Sequence, residues 1–398
     1  MKPTTPTSRI LCVFFATASA GLAFGQTWIP TGAPSNSWSA VACSADGSKV
    51  VAATTGNFPT GQIFISNDGG TTWTPTGAPL EGWTLVTSSA DGTRLAALAA
   101  VAKFGAYTST DSGAAWVWHK GPPYAYGTLD CSADGSTLLG VEVDYNVYLS
   151  PDFGDTWVER RTPIFDINTA AFSTDGTTIV AMSNGGEIAS STNAGATWSL
   201  PVGPGSAGNW VAGSADLRRL ICLTSTLPYP AVGQSILTSA DMGQTWVTNP
   251  VPAVDWLAAA ASADGTKFVV GSGCGLIYSS SDSGTTWTSN SAPALHWYRN
   301  CLASSADGNT VFAAASAGGV WVRRTTPAPV LRAGAVKSGL KLSWLVPSAT
   351  FQLQQTPSLG APVWSDVTNL PALNLANLNH EVFLPQPPAN VFFRLVQR

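Results

Sequence analysis

Ser66-Asn67-Asp68-Gly69-Gly70-Thr71-Thr72-Trp73 is the stretch that decides the fold, because the chain repeats it. Further copies run from Ser109 to Trp116 (STDSGAAW), Ser150 to Trp157 (SPDFGDTW), Ser191 to Trp198 (STNAGATW), Ser239 to Trp246 (SADMGQTW) and Ser280 to Trp287 (SSDSGTTW). The closing tryptophans stand at 73, 116, 157, 198, 246 and 287, so the spacings are 43, 41, 41, 48 and 41 residues and mark a structural period. Each copy sets Asp68, Asp111, Asp152, Asp241, Asp282 or, once, Asn193 near a Gly in a short polar run between β-type segments. Such a run makes a tight hairpin: the side-chain oxygen accepts backbone N–H bonds, Gly takes φ > 0, and Trp anchors the outgoing strand by burying its ring.

A second phrase alternates with the first. Ser44-Ala45-Asp46-Gly47 is echoed at 89–92, 132–135, 173–176, 214–217, 262–265 and 305–308, seven in all, with Leu217 the one departure from Gly. Asp-Gly between apolar runs predicts a type I′ hairpin turn, which needs φ > 0 at both central residues. Val50-Val51-Ala52-Ala53, Leu95-Ala96-Ala97-Leu98, Ile179-Val180-Ala181-Met182 and Phe268-Val269-Val270 read as the short strands beside it. Each unit then holds four strands: one into this turn, one out of it, a third such as Gln62-Ile63-Phe64-Ile65, and a fourth after the Asp-bearing phrase. One such sheet cannot bury both faces without neighbours, so the repeat predicts the blades of a β-propeller, seven of them.

Six Asp-bearing phrases against seven turns leave the last unit a strand short at Gly319-Val320-Trp321-Val322. The missing strand is at the other end of the chain. Gly25-Gln26-Thr27-Trp28-Ile29-Pro30-Thr31-Gly32-Ala33-Pro34 matches Gly70 to Pro79 almost residue for residue. The N-terminal segment is therefore predicted to close the ring as the outer strand of the last blade, which removes an open sheet edge.

The pattern S/T-x-D-x-G-x-T-W is the Asp-box, and the chain resembles the Asp-box (BNR) propeller superfamily, which includes sialidases, sortilin-type receptors and photosystem-assembly propellers. The resemblance implies the fold and is nearly silent about function. A sialidase of this superfamily carries an arginine triad and an early Arg-Ile-Pro motif; here the early segment is Trp28-Ile29-Pro30 and the arginines fall as Arg160-Arg161, Arg218-Arg219 and Arg323-Arg324, with Arg94 and Arg299 alone. A photosystem-assembly role in that subgroup relies on a basic patch, which this acidic chain lacks.

The chain has 398 residues, 44% hydrophobic and 11% charged, enough for a large core and unlike a disordered chain. Lys2 and Arg9 before the apolar run Ile10 to Ala18 read as a secretory signal, cleaved after Ala20 or after Gly25. No later stretch is long and apolar enough to span a bilayer. The expectation is a secreted, periplasmic or cell-surface protein. The net charge of −4, or −6 without Lys2 and Arg9, disfavours nucleic acid and anionic membranes. Cys43, Cys131, Cys222, Cys274 and Cys301 remain after the signal; Cys274 with Cys301 is the one pairing their positions suggest, and buried free thiols are the other reading.

From Pro327-Ala328-Pro329 the composition changes, and Leu340 to Trp344, Thr350 to Gln354, Val363 to Val367 and Val391 to Leu395 read as strands. This tail resembles the small β modules at the C-termini of exported bacterial proteins. The expected architecture is all-β: a signal at 1–25, a seven-bladed Asp-box β-propeller of four-stranded blades at 26–326, and a β-sandwich-like module at 327–398.

Propeller ligands usually sit where the fourth strand of one blade connects to the first strand of the next. Those connections end in Trp38, Trp83, Tyr126, Trp210, Trp256 and Trp297, with Ile167 in the same place once. Aromatics at the mouth of a funnel stack on sugar rings; the same repetition also suits a wedge between inner strands. Glu81, Asp166 and Asp255 on these connections are the carboxylates from which a glycosidase pair would have to come. Each Asp-box offers one carboxylate, short of the six to eight oxygens calcium prefers, so these aspartates read as structural and no metal or other cofactor is expected. His119, His296 and His380 are isolated from one another, and no neighbouring residue suggests a triad or metal site. The expected function is non-enzymatic: a monomeric binding or scaffold propeller for an extracellular glycan or protein, with a glycoside hydrolase unlike the typical sialidase as the alternative.

Overall fold

The computed structural model describes residues 28–397 apart from 57–59, 100–104, 122–124, 143–145, 202, 205–207, 225–234, 253, 291, 293–294, 326–328, 337–338, 347–350, 359–362 and 386–390. The expected signal segment lies outside the described residues. Every described element is a β-strand.

The first complete sheet sets the pattern. Trp38–Cys43, Val50–Thr54, Ile63–Ser66 and Thr74–Pro75 pair in that order, antiparallel, with Val41 opposite Ala52, Ala52 opposite Phe64 and Phe64 opposite Pro75. The second strand is buried along its whole length, as are Ile179–Ser183, Leu220–Thr224 and Phe268–Ser272. A strand covered on both faces reads as a continuous apolar run, which is why Val-Val-Ala-Ala shows no alternation. The outer strand has only two residues, both exposed. Among the described residues seven such sheets lie between Ile29 and Arg324; in the one that begins at Ile167, a bridge between Ser190 and Ser199 stands for the outer strand.

The last of these sheets is built from both ends of the segment. Trp297–Ser304, Thr310–Ala315 and Val320–Arg324 are followed by Ile29–Pro30, with Ile29 opposite Val322 and Pro30 opposite Trp321. Asn36 and Gly318 exchange backbone hydrogen bonds of 2.7 and 3.2 Å at the same seam. This is the pairing that the match between the two Trp-x-Pro-Thr-Gly-Ala-Pro phrases predicts.

The Ser-Ala-Asp-Gly loops join the sheets into a circuit. Ala45 N donates to Ala90 O at 2.8 Å, and the chain of bonds passes through Ala133, Thr174, Ala215, Ala263 and Ala306 until Ala306 N donates to Ala45 O at 2.7 Å. The expected type I′ turn is corrected here. Positive φ occurs only at the fourth residue, as at Gly47 (68°) and Leu217 (54°), while Gly47 N bonds back to Ser44 O at 2.9 Å. Asp46 folds inward instead, accepting from Ser44 Oγ at 2.6 Å and Ser48 N at 2.9 Å. The Ala peptide groups are thereby left free to bond the next sheet.

Two consecutive positive φ values do occur, in the other phrase: Ser112 (57°) with Gly113 (88°), and Phe153 (56°) with Gly154 (106°). There Asp68 accepts from Thr72 N at 2.8 Å and Thr72 Oγ1 at 2.6 Å, Ser66 Oγ accepts from Gly70 N at 2.8 Å, and Trp73 Nε1 donates to Gly70 O at 3.1 Å. Asn193 accepts from Thr197 N in the same way at 2.9 Å.

The last sheet has no Asp-bearing phrase, and Arg323 and Arg324 occupy the gap. Arg323 is buried, donates from Nη1 to Ser279 Oγ at 3.0 Å and Asn290 Oδ1 at 2.8 Å in the preceding sheet, and lies over the Trp28 ring. Arg324 Nη2 donates to Gly69 O of the first such phrase.

Residues 332–397 form two further sheets around Leu340, Leu342, Trp344, Leu353, Val382 and Phe393. The strands Gly339–Leu345, Phe351–Thr356, Ser365–Asp366 and Phe392–Gln397 lie near their expected places; Arg332–Val336, Ala372–Asn374 and Asn379–Pro385 were not foreseen. These sheets are not a free tail. Val346 and Leu378 are buried against Ala45, Ala133 and Ala306, and Thr174 Oγ1 donates to Ala376 O at 3.0 Å. They cover the end of the circuit where the Ser-Ala-Asp-Gly loops meet.

The hydrogen bonds of these Asp-bearing phrases dictate a response to acid. Thr72 holds the Asp68 carboxyl down to about 2, and Asp111, Asp152, Asp241 and Asp282 are lowered likewise by hydrogen bonds from their own loops. A depressed carboxyl contributes stability that is complete above the ordinary carboxylate value and lost as pH falls through the folded one. The melting temperature is therefore expected to drop between about pH 4 and pH 2. Replacing all five aspartates by Asn, the residue already present at 193, should flatten that drop.

Candidate functional site

Each innermost strand begins with a bulge. The register slips between Trp38 and Ala40, Trp83 and Leu85, Ala125 and Thr128, Ile167 and Thr169, Gly208 and Trp210, Trp256 and Ala258, and Trp297 and Leu302. A bulge re-aims side chains at the end of a strand. Here Ser39, Thr84, Leu257 and Asn300 are turned to the rim of an open cavity of about 540 Å³, completed by Ser37, Thr55 and Ser316. Trp38 and Leu257 give the rim apolar surface between these hydroxyl and amide groups, and its described residues carry no charge.

Trp38, Trp83, Trp256 and Trp297 are at most 1% exposed. Trp38 packs on Phe64 (5.5 Å) and Trp73 (6.0 Å), Trp83 on Tyr107 (5.1 Å) and Trp256 on Tyr278 (5.6 Å). Each also fills the seam to the sheet before it: Trp83 joins Ala53 and Ile63, and Trp297 joins Val269 and Ile277. These rings pack as wedges between sheets, and Trp38 also lines the mouth cavity. Ile167, fully buried, does the same work without an aromatic ring. Trp210 lies two residues further into its strand, half-buried, with Nε1 on Ala259 O at 3.3 Å. Tyr126 lies in the strand Ala125–Cys131, and its side chain is outside the described residues.

The three connection carboxylates are engaged separately. Asp166, in the left-handed region (φ 57°), accepts from Asn184 Nδ2 at 2.8 Å; Asp255 sits against Gly273, whose N–H donates to Asp255 O at 3.0 Å; Glu81 lies beside Tyr107, whose phenol is raised by burial and by that carboxylate. No two of them are brought together by these contacts. His119 bridges Thr108 Oγ1 (2.8 Å) and Asp155 (3.0 Å), His296 Nδ1 meets Gly273 O at 2.7 Å, and His380 stacks on Trp344.

The basic residues are spent on neighbouring turns. The stems of Lys49, Arg94, Arg219 and Lys267 lie over Gly92, Gly135, Gly265 and Gly308, so close that a Cβ there would fall 2.7 to 2.8 Å from them. Arg219 also donates to Asp264 O at 3.0 Å and Lys267 to Asp307 O at 2.8 Å. Among the described residues no three His, Cys, Asp or Glu side chains converge as a metal site, and no disulfide joins the five cysteines. The Cys274–Cys301 pairing is thus corrected: Cys274 is exposed, beside Ser272, while Cys301 is buried in the next sheet.

Behind the mouth a second cavity, of about 290 Å³, runs along the innermost strands, and Asn300 lines both. Its wall carries Asp130, which sequence reading missed. Burial raises this carboxyl to about 6 against hydrogen bonds from Cys131 N (2.8 Å) and Thr87. A carboxyl raised in the folded state binds its proton more tightly than the unfolded chain does, so stability is lost as pH rises from about 4 to 6. Asp130→Asn should therefore gain about 1–3 kcal/mol at pH 7.5 and nothing at pH 4, measured by urea unfolding.

No protein-family model and no curated protein matches the chain by sequence. Solved structures do match in shape. YCF48 from Cyanidioschyzon merolae aligns with a TM-score of 0.57 and 14% identity over 75% of this chain and 98% of its own. YCF48 bound to D1 peptide aligns at 0.55 and 17% over 77% and 98%. The GH74 xyloglucanase from Xanthomonas campestris aligns at 0.58 and 14% over 80% of this chain but only 59% of its own length. All are β-propellers, and at these identities they show that fold and nothing finer.

Proposed function

We propose that the chain is an exported seven-bladed Asp-box propeller, at 26–326 with a covering module at 327–398, that binds an extracellular protein or glycan at its open mouth without turnover. The observation that carries this reading is the mouth itself: one end of the circuit is covered by residues 332–397, and the other is an open cavity whose described lining mixes Ser, Thr and Asn with Trp38 and Leu257 and holds no carboxylate. Retaining or inverting hydrolysis needs two carboxyl groups across one bound sugar. Of the two ligands, a protein segment fits better, because the wedge tryptophans are buried and a rim that mixes Ser, Thr and Asn with Leu257 is suited to bonding a polypeptide backbone and seating an apolar side chain. A propeller of the same shape, YCF48, has been solved with a peptide bound.

The test uses the purified mature chain on a peptide library and a glycan array, with Thr84→Arg as the mouth variant. Peptide capture without turnover, lost in Thr84→Arg at unchanged melting temperature, supports the proposal. Glycan capture alone would make the ligand a sugar, and hydrolysis that disappears on changing Glu81, Asp166 or Asp255 would overturn the binding reading. Export and a monomeric state are checked by cell fractionation, by the mature N-terminus (Gly21 or Gln26) and by sedimentation.

A further inference from the structure

Among its described residues the cavity behind the mouth holds a single carboxylate in an otherwise neutral wall. At the second place before each Ser-Ala-Asp-Gly loop the chain puts Ala or Thr in every unit except the third, where it puts Asp130. Neither Lys, Arg nor His lines the cavity among the described residues, and Asp130 enters none of their ion pairs. A desolvated carboxylate without a counter-charge is costly to keep, so its place in an accessible cavity calls for an incoming cation. The hydroxyls of Thr87, Ser88 and Ser304 line the same space. One carboxylate with a few hydroxyls is short of the six to eight oxygens calcium takes, but it matches the three N–H donors of an ammonium group. About 290 Å³ is room for roughly ten waters or a short alkyl chain. Access is from the mouth, since Val346 and Leu378 cover the far end. Thr84 on the rim and Thr87 in the wall are three residues apart, roughly 10 Å along a strand.

We propose that this channel is a binding site for a primary ammonium group, held by the Asp130 carboxylate and the surrounding hydroxyls. The group belongs either to a free linear amine or to a lysine side chain dropped from a segment lying on the mouth. The site stands whatever the mouth captures. The other titratable groups nearby do not change charge near neutrality: burial pushes the Cys43 and Cys131 thiols up to about 12, and the loop carboxylates Asp91 and Asp134 are lowered.

The experiment is a calorimetric titration of the mature chain with n-butylammonium chloride, with sodium chloride as control, at pH 7.5 and 5.0, on wild type and Asp130→Asn. The expected result is saturable amine binding, about ten-fold weaker at pH 5.0, where about one Asp130 in ten is ionised, and abolished in Asp130→Asn although that variant melts no lower. Equal binding by Asp130→Asn, a flat pH profile, or equal displacement by sodium would overturn the proposal. A lysine peptide that binds ten-fold less tightly after Nε-acetylation assigns the ammonium to a polypeptide; amine binding with no effect of acetylation assigns it to a small molecule. Absence of saturable amine binding by the wild-type chain refutes the channel site, and peptide capture that the same chain still shows leaves the mouth reading standing.

Discussion

Trp83→Ala should lower stability by about 3–5 kcal/mol, the range for truncating a large buried aromatic where the surroundings relax only in part. The Trp83 ring is fully buried, meets Tyr107 edge-on at 5.1 Å and Trp116 at 6.5 Å, and closes the seam to Ala53 and Ile63. Its Nε1 has no hydrogen-bond partner, so Trp83→Phe, which keeps most of the volume and removes that buried N–H, should cost less than half as much. Urea unfolding of the two variants checks both values. A Trp83→Ala protein that melts like wild type and loses only ligand binding would restore the ring-stacking role that the periodic aromatics equally suit.

The second large effect is expected at Arg323. Arg323→Ala removes two charge-assisted hydrogen bonds, to Ser279 and Asn290, and uncovers the face of Trp28, at a cost of about 3–5 kcal/mol. Burial already lowers this guanidinium to about 10, so the group is held in place against its desolvation by those contacts. Arg323→Met keeps the stem and the packing on Trp28 and should recover part of the loss. Because Arg323 joins the last two sheets at the seam where the N-terminal strand enters, Arg323→Ala should also speed proteolysis near residues 28–36. An Arg323→Ala variant with wild-type unfolding would mean that the seam is held by other contacts.

Much of the fold was legible because its turns are polar and its period is fixed. Asp68, Asp111 and their counterparts mark hairpins whatever the strands contain, and the match of Trp28-Ile29-Pro30 to Trp73-Thr74-Pro75 carries the closing pairing. The turn chemistry was assigned to the wrong phrase. Asp-Gly in Ser-Ala-Asp-Gly looks like a type I′ pair, yet the Ala peptide is needed to bond the next sheet, so only the fourth residue turns left-handed. The site was less legible. A recurring Trp before an inner strand has one sequence signature for a wedge and for a ligand platform, and only burial tells Trp38 and Trp297 from Trp210. Asp130 left a trace that could have been found: it is the one charge at a place held by Ala42, Thr87, Ala171, Ala212, Ala260 and Ala303 in the other units. Arg323-Arg324 stands where the pattern ends, and a charged pair before Pro327 reads as an exit until its partners across two sheets are seen.

The closed circuit is tested most directly by amide hydrogen exchange of the intact chain over residues 28–37. Thr31 N donates to Val320 O at 2.9 Å, Gly32 N to Gly70 O at 2.8 Å and Asn36 N to Gly318 O at 2.7 Å, so these amides should exchange as slowly as those of neighbouring sheet edges. Complete exchange of all three within seconds, as in an unattached tail, would contradict the closing strand and the ring built on it.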